Sequence, residues 1–311
     1  MIGEYHNWQV VVPRLALRHE YLLHGLLAMA ALELASDAQD DFKLRQQYVE
    51  AAVEYNNLAS SRFRDELLNL SAENHRAMFA LASIFMVMGL ALPQFTARPC
   101  ERVRMLEHVF TFLELAKGFV AVALSDKDVL QDPLLVNYPH WDQLPENALS
   151  SEVAAALDRL TVINDVEYGT NSQGASGVDA LQKISYHAAL RRAGFFLREH
   201  FSKCTEPDHR GYTVAWPLQA GDDYLAAVKA HEPVALIMLM HWGVLLDYVA
   251  RNPYVWWADS VGKNLVDDVS HIIAHDVNEA MRSAVQWARQ QVGLDADLSA
   301  YQHERPTRAA P

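Results

Sequence analysis

Apolar side chains along this chain recur at the 3.6-residue period of the α-helix, and no stretch sustains the two-residue alternation of a half-buried strand. Helical patterning runs over Pro13–Leu34, Asp41–Leu68, Ala72–Leu92, Arg102–Leu124, Ser151–Ile163, Val178–Phe201, Asp222–Lys229, Pro233–Val249, Trp256–Ile273 and Val277–Val292. Boundary chemistry supports several of these spans. Ser71, before Ala72-Glu73-Asn74, is placed to N-cap one helix, and Ser150 or Ser151 to open another. Pro233 sits in a first turn, where its missing N–H costs nothing, and Asn252-Pro253 ends that helix. Breaks are expected at Pro93–Pro99, Asp126–Pro145, Gly169–Gly177 and Thr205–Gly221, where Pro, Gly, Asn and Ser gather. The expected fold class is therefore all-α.

Two of these helices are apolar on every side. In Pro233–Val249 the residues Val234, Ala235, Ile237, Met238, Leu239, Trp242, Leu245 and Leu246 surround the axis, which predicts burial from most directions. Pro13–Leu34 has the same wraparound character. The expected architecture is a single array of about ten helices packed around Pro233–Val249 as the central buried helix, with an apolar pocket beside it. The helical domain is expected over residues 1–294, and residues 295–311, ending in Arg305-Pro306-Thr307-Arg308, read as a flexible tail. Asn171–Gly177 reads as the most flexible internal stretch.

Composition narrows the function classes. The chain has 311 residues, 51% of them hydrophobic, enough for an extensive core. Its 39 acidic and 26 basic residues give a formal charge of −13, which opposes direct binding to nucleic acid or to anionic membranes. Cys100 and Cys204 are the only cysteines, too few for a disulfide framework or a multi-cysteine zinc site. No stretch has the layout of a secretory signal, and the apolar runs Met78–Leu92 and Val234–Leu246 are shorter than the ~20 residues a membrane span requires. The expected location is cytoplasmic or nuclear, without secretion or membrane insertion.

At the level of particular residues, Trp8, Val12-Pro13-Arg14-Leu15-Ala16 and His24-Gly25-Leu26-Leu27-Ala28-Met29-Ala30-Ala31-Leu32 resemble the opening helices of the fungal-specific transcription factor domain. The likeness continues through Tyr48, Tyr55-Asn56, Phe63, Glu73-Asn74 to Phe79, His231 to Leu236, His241-Trp242, Trp257 and Trp287-Ala288. It spans roughly residues 8 to 294 and is closest to the sterol-uptake-control branch. The resemblance implies the C-terminal regulatory region of a zinc binuclear cluster regulator: an all-α domain that binds a hydrophobic small molecule, sterol-like or terpenoid. The cysteine-rich DNA-binding head of such regulators is missing from the chain. A homodimer or heterodimer is compatible with this reading.

The candidate ligand-binding residues are Met238, His241, Trp242, Leu245, Trp256 and Trp257, with Met29, Phe85, Met86 and Met88 as a further wall. Thioethers adapt to irregular apolar ligands, and an indole adds one N–H donor to a large apolar face. The alternative for every one of them is ordinary core packing. A pair at i, i+4, His271 and His275, lies near Asp267, Asp268 and Asp276 in a spacing able to offer two imidazoles to one metal; a solvated helix end is the simpler reading, and no metal is expected. Asp267-Asp268-Val269-Ser270-His271 and Asn164-Asp165-Val166-Glu167 are incomplete versions of the magnesium motifs of all-α terpene cyclases. His24, His108, His187 and His241 lie within helices as weak general-base candidates. Nucleotide-binding and hydrolase signatures do not occur, and no cofactor is expected.

These readings lead to two functions. The first is a ligand-responsive regulatory domain whose helix packing shifts on binding. The second is a stand-alone biosynthetic enzyme that reuses the fold for cofactor-free cyclisation, such as a pericyclic step, of a terpenoid or polyketide. His241 and Trp242 are the first residues to test for that chemistry. A dimerising competitor of an intact regulator is a third possibility.

Overall fold

In a computed structural model of the chain, the described residues are 7–38, 40–96, 104–124, 141–169 and 178–297. Every regular element among them is helical, with no strand. Twelve α-helices follow in order: α1 Val12–Ala16, α2 Glu20–Asp37, α3 Phe42–Leu67, α4 His75–Thr96, α5 Met105–Leu124, α6 Ser151–Tyr168, α7 Val178–Lys203, α8 Trp216–Ala220, α9 Asp222–Lys229, α10 Pro233–Ala250, α11 Val261–Ile273 and α12 Glu279–Gln291. The chain is all-α. It forms two compact units, one of Met1–Val103 with Glu107–Leu144 and the other of Arg104–Leu106 with Pro145–Pro311, in place of the single array expected from the sequence.

The first unit is built on α2, α3 and α4, each packed against the other two. Asp41 opens α3 by accepting the Leu44 N–H on Oδ1 (3.0 Å). Gly25 lets α2 sit close to α4: a Cβ there would lie 2.4 Å from Leu81 Cδ1, and that side chain would have to shift to admit it. Pro13–Leu34, expected as one helix apolar on all sides, is instead α1 and α2 separated at Leu17–His19. The N–H groups of Leu17, Arg18 and His19 fold back onto Pro13, Leu15 and Ala16, and His19 then turns to extended backbone (φ −129°, ψ 95°). Burial on α2 is confined to one face, at Tyr21, Leu22, Gly25, Ala28, Ala31, Leu32 and Ala35; Leu27 and Leu34 are exposed.

Two further expectations in this unit are corrected. Ser71 does not cap a helix beginning at Ala72. Asn74 is the organising residue: its Oδ1 accepts the Ser71 N–H (2.8 Å), its Nδ2 donates to Glu66 Oε2 (3.0 Å) and to the Asn69 carbonyl (3.1 Å), and α4 starts at His75. Pro93 does not end that helix, which continues to Thr96. Near the C-terminus few backbone bonds are at stake, and side chains supply donors there. Gln94 Nε2 donates to the Leu90 carbonyl (3.0 Å) and Thr96 Oγ1 to that of Leu92 (3.1 Å).

The second unit holds α6 to α12. Side chains cap the starts of α6 and α12: Ser150 Oγ accepts the Val153 N–H (3.2 Å), and Asn278 Oδ1 that of Met281 (3.0 Å). In α10 every residue from Val234 to Leu246 is buried, and the helix packs against α6, α7, α9, α11 and α12. Its crossing with α11 is a backbone-to-backbone approach. A Cβ at Gly262 would stand 2.2 Å from the Gly243 carbonyl oxygen and 2.6 Å from the Asp247 nitrogen. Trp256 and Trp257, expected within a helix running to Ile273, lie in a separate 3-10 turn, Pro253–Ala258, because Pro253 restarts the chain after α10 and Val255 takes non-helical angles. Thr205–Gly221, expected as loop, contains the 3-10 segment Pro207–Ala215 and α8, with prolines in first turns where their missing N–H is harmless.

By length and composition α4 and α10 are each apolar enough to cross a membrane, more so than the shorter runs within them. Most of their apolar windows, 61% and 78%, is buried inside the protein, as in a core helix. Asn171–Gly177 and Cys100 lie outside the described residues, as does the tail expected over residues 295–311 except for 295–297.

Candidate functional site

The junction between α9 and α10 orients the most buried helix of the second unit. α9 closes in a Schellman arrangement, with the His231 N–H on the Val228 carbonyl (3.0 Å) and the Glu232 N–H on that of Ala227 (3.0 Å). This places His231 in the left-handed region, φ 56°, where glycine is usual. The side chain of Glu232 then opens α10, accepting the N–H groups of Val234 (3.0 Å) and Ala235 (2.6 Å). The Tyr168 hydroxyl donates to the same carboxylate. Burial pushes the Glu232 carboxyl above its ordinary value, against the pull of these three donors; burial and the neighbouring carboxylate likewise raise Tyr168.

Along α10 the polar handles of the aromatic side chains are committed to backbone carbonyls. Trp242 Nε1 donates to Thr213 (2.9 Å), Trp216 Nε1 to Ala193 (3.0 Å) and the Tyr224 hydroxyl to Ala235 (3.0 Å). The three rings form one cluster, with Trp216 5.9 Å from Trp242 and 5.2 Å from Tyr224 between centroids. Trp242 is thus anchored, and its N–H is not free to polarise a ligand.

His241 is different. It is fully buried, and its Nδ1 lies 2.8 Å from the Ile237 carbonyl oxygen. A carbonyl only accepts, so Nδ1 carries the proton and Nε2 presents a lone pair. That Nε2 has no hydrogen-bond partner among the described residues. Burial pushes the imidazole down to about 4; the Ile237 hydrogen bond opposes this and the positive charge of Arg159 adds to it. The ring is therefore a neutral, desolvated acceptor at physiological pH. Trp287 stacks on it at 4.9 Å between centroids and 23° between planes.

The candidate residues divide between the units. Met238, His241, Trp242 and Leu245 are buried together on α10, and Trp256 and Trp257 are half-buried in the turn that packs on it. Met29, Phe85, Met86 and Met88 belong to the first unit, on α2 and α4, where Phe85 meets Phe63 edge to face at 5.3 Å.

The polar candidates have other work. Asp268 is buried and accepts the Leu106 N–H (3.0 Å), whereas Asp267 sits 3.7 Å from Arg289 and 3.9 Å from His271. Among the described residues, His, Cys, Asp and Glu form no group of three suited to a metal. Asn164 Nδ2 donates to the His187 carbonyl (3.1 Å), and Asp165 pairs with His187 Nε2 (2.8 Å), joining α6 to α7. His24 stacks on Tyr55 at 6.0 Å, and His108 is partly exposed on α5.

One group has no signal in the sequence: His200 in the last turn of α7 and Cys204 just past its end, four residues apart, with Cys204 Sγ 3.4 Å from His200 Nδ1 and His200 Nε2 2.8 Å from Gln219 Oε1. Burial pushes this thiol up to about 12 and this imidazole down to about 4, so the pair is neutral and structural. Compared with models of known protein families, with curated proteins and with solved structures, the chain matches none.

Proposed function

We propose that this protein is a ligand-responsive domain that binds a hydrophobic small molecule, sterol-like or terpenoid, beside α10, in the manner of the regulatory region of fungal transcription factors. The observation that carries the reading is His241 Nε2, a buried acceptor left without a donor in the buried run Val234–Leu246, which carries no other ionisable side chain. An unmet acceptor costs about 1–3 kcal/mol, and a molecule that supplies a donor on an apolar body recovers that energy while keeping the surroundings dry. The all-α fold and the residues that resemble the fungal domain support the same reading. His241 and its neighbours are closely buried, so binding requires the packing around α10 to open, and the ligand acts by favouring the open arrangement.

The competing reading, cofactor-free cyclisation of a terpenoid or polyketide, draws on the same imidazole. A neutral, desolvated Nε2 has the form of a general base, but burial holds its pKa near 4 and makes it a poor proton acceptor. It is better suited to hold a hydrogen bond than to remove a proton.

Native mass spectrometry of the purified chain, followed by organic extraction and identification of the bound molecule, tests both. A stoichiometric sterol or terpenoid, lost in His241→Leu, is the expected result. A cyclised product that accumulates from an added linear precursor would move the assignment to the enzyme. A chain that stays empty when offered sterols and terpenoid alcohols would refute ligand binding.

A further inference from the structure

The His241 ring is fully buried, and one aromatic side chain lies flat against it, Trp287 of α12. Trp287 is 8% exposed, so it reaches from the covered imidazole to the molecular surface. At that surface its indole N–H donates to Glu152 Oε1 (3.1 Å), and Gln291 Nε2 donates to the same oxygen (2.6 Å). Glu152 is exposed at the first turn of α6. The polar hold on the indole is therefore a single part-buried hydrogen bond to an exposed carboxylate, and a bond whose acceptor water can also reach contributes only modestly.

We propose that Trp287 is the gate of the His241 site, latched by Glu152, and that its outward swing admits an apolar alcohol whose O–H donates to His241 Nε2. This inference rests on the ligand-binding reading above. An alcohol fits better than water. An internal water needs roughly two to four polar partners, whereas Nε2 is the only unmet polar atom on this apolar helix. An alcohol supplies one donor and buries the rest of its surface against Met238 and Leu245.

The gate is tested by the rate at which diethyl pyrocarbonate carbethoxylates individual histidines, read by peptide mass spectrometry. His200 is equally buried in the same unit and serves as the internal reference. In Glu152→Ala and in Trp287→Phe, which keeps a ring but loses the N–H, His241 is expected to react about tenfold faster while His200 is unchanged. Equal acceleration of both histidines would mean general loosening and would overturn the gate, as would an unchanged His241 rate in both variants.

The donor is tested by comparing farnesol with its methyl ether and cholesterol with its methyl ether. At least one alcohol is expected to bind about tenfold more tightly than its ether, with the preference lost in His241→Leu. Ether and alcohol binding alike would overturn the donor assignment. Binding of neither alcohol would count against the ligand reading and the donor assignment, leaving the carbethoxylation result to decide the gate.

Discussion

His231 shows how a single backbone angle is held by its surroundings. A β-carbon at φ 56° costs about 1–2 kcal/mol, but the two N–H bonds that close α9 require that conformation. Replacing His231 with glycine removes the steric cost and adds unfolded-state entropy, so His231→Gly is expected to stabilise the protein by about 0.5–1 kcal/mol in urea unfolding. At this scale the sequence was only partly legible. The apolar character of α10 identified His241, but its partner Trp287 is distant in the chain and nothing in local spacing links the two. Asn74 was likewise obscured by Ser71, because either residue is a sound cap by type and only the turn geometry selects one.

Helix elements were more legible than their edges. The period of apolar residues located α3, α9 and α10 closely; the Asp41 cap agrees with it at α3, and Pro233 in the first turn agrees with it at α10. Where they disagree the structure departed from the pattern: Pro93 was tolerated in a last turn, and Leu17–His19 broke a continuous apolar run. How the elements pack was not legible at all, because Gly243 and Gly262 look like ordinary helix glycines until they meet. The two predict unequal effects. In Gly262→Ala the new carbon meets backbone at 2.2 Å and 2.6 Å, so α10 and α11 must separate, with an expected loss of more than about 3 kcal/mol. Gly243→Ala, at 3.1 Å from the Gly262 carbonyl, should cost less. Gly118→Ala on α5 has nothing within 4 Å of the added carbon and should stabilise by about 0.5–1 kcal/mol. Thermal denaturation of the three variants checks the order.

For the whole molecule, global stability carries the signature of the buried imidazoles. His200 and His241 both have folded pKa values near 4, below the unfolded value of 6.5. As pH falls through that window the unfolded chain takes up protons first, so stability is complete above about pH 6.5 and is lost progressively toward pH 4. The combined loss is on the order of a few kcal/mol. Urea midpoints from pH 7.5 to 4.5 should trace it, and His241→Leu should flatten the slope; a pH-independent midpoint would refute the burial of both rings. The joint at Glu232 bears on how a chain of this fold can vary in length. One residue ends a helix with its backbone and begins the next with its side chain, so no spacer exists between them. A single inserted alanine after His231 would force that residue to serve one helix and abandon the other. Natural length variation should accumulate in the longer connections and stop at this one.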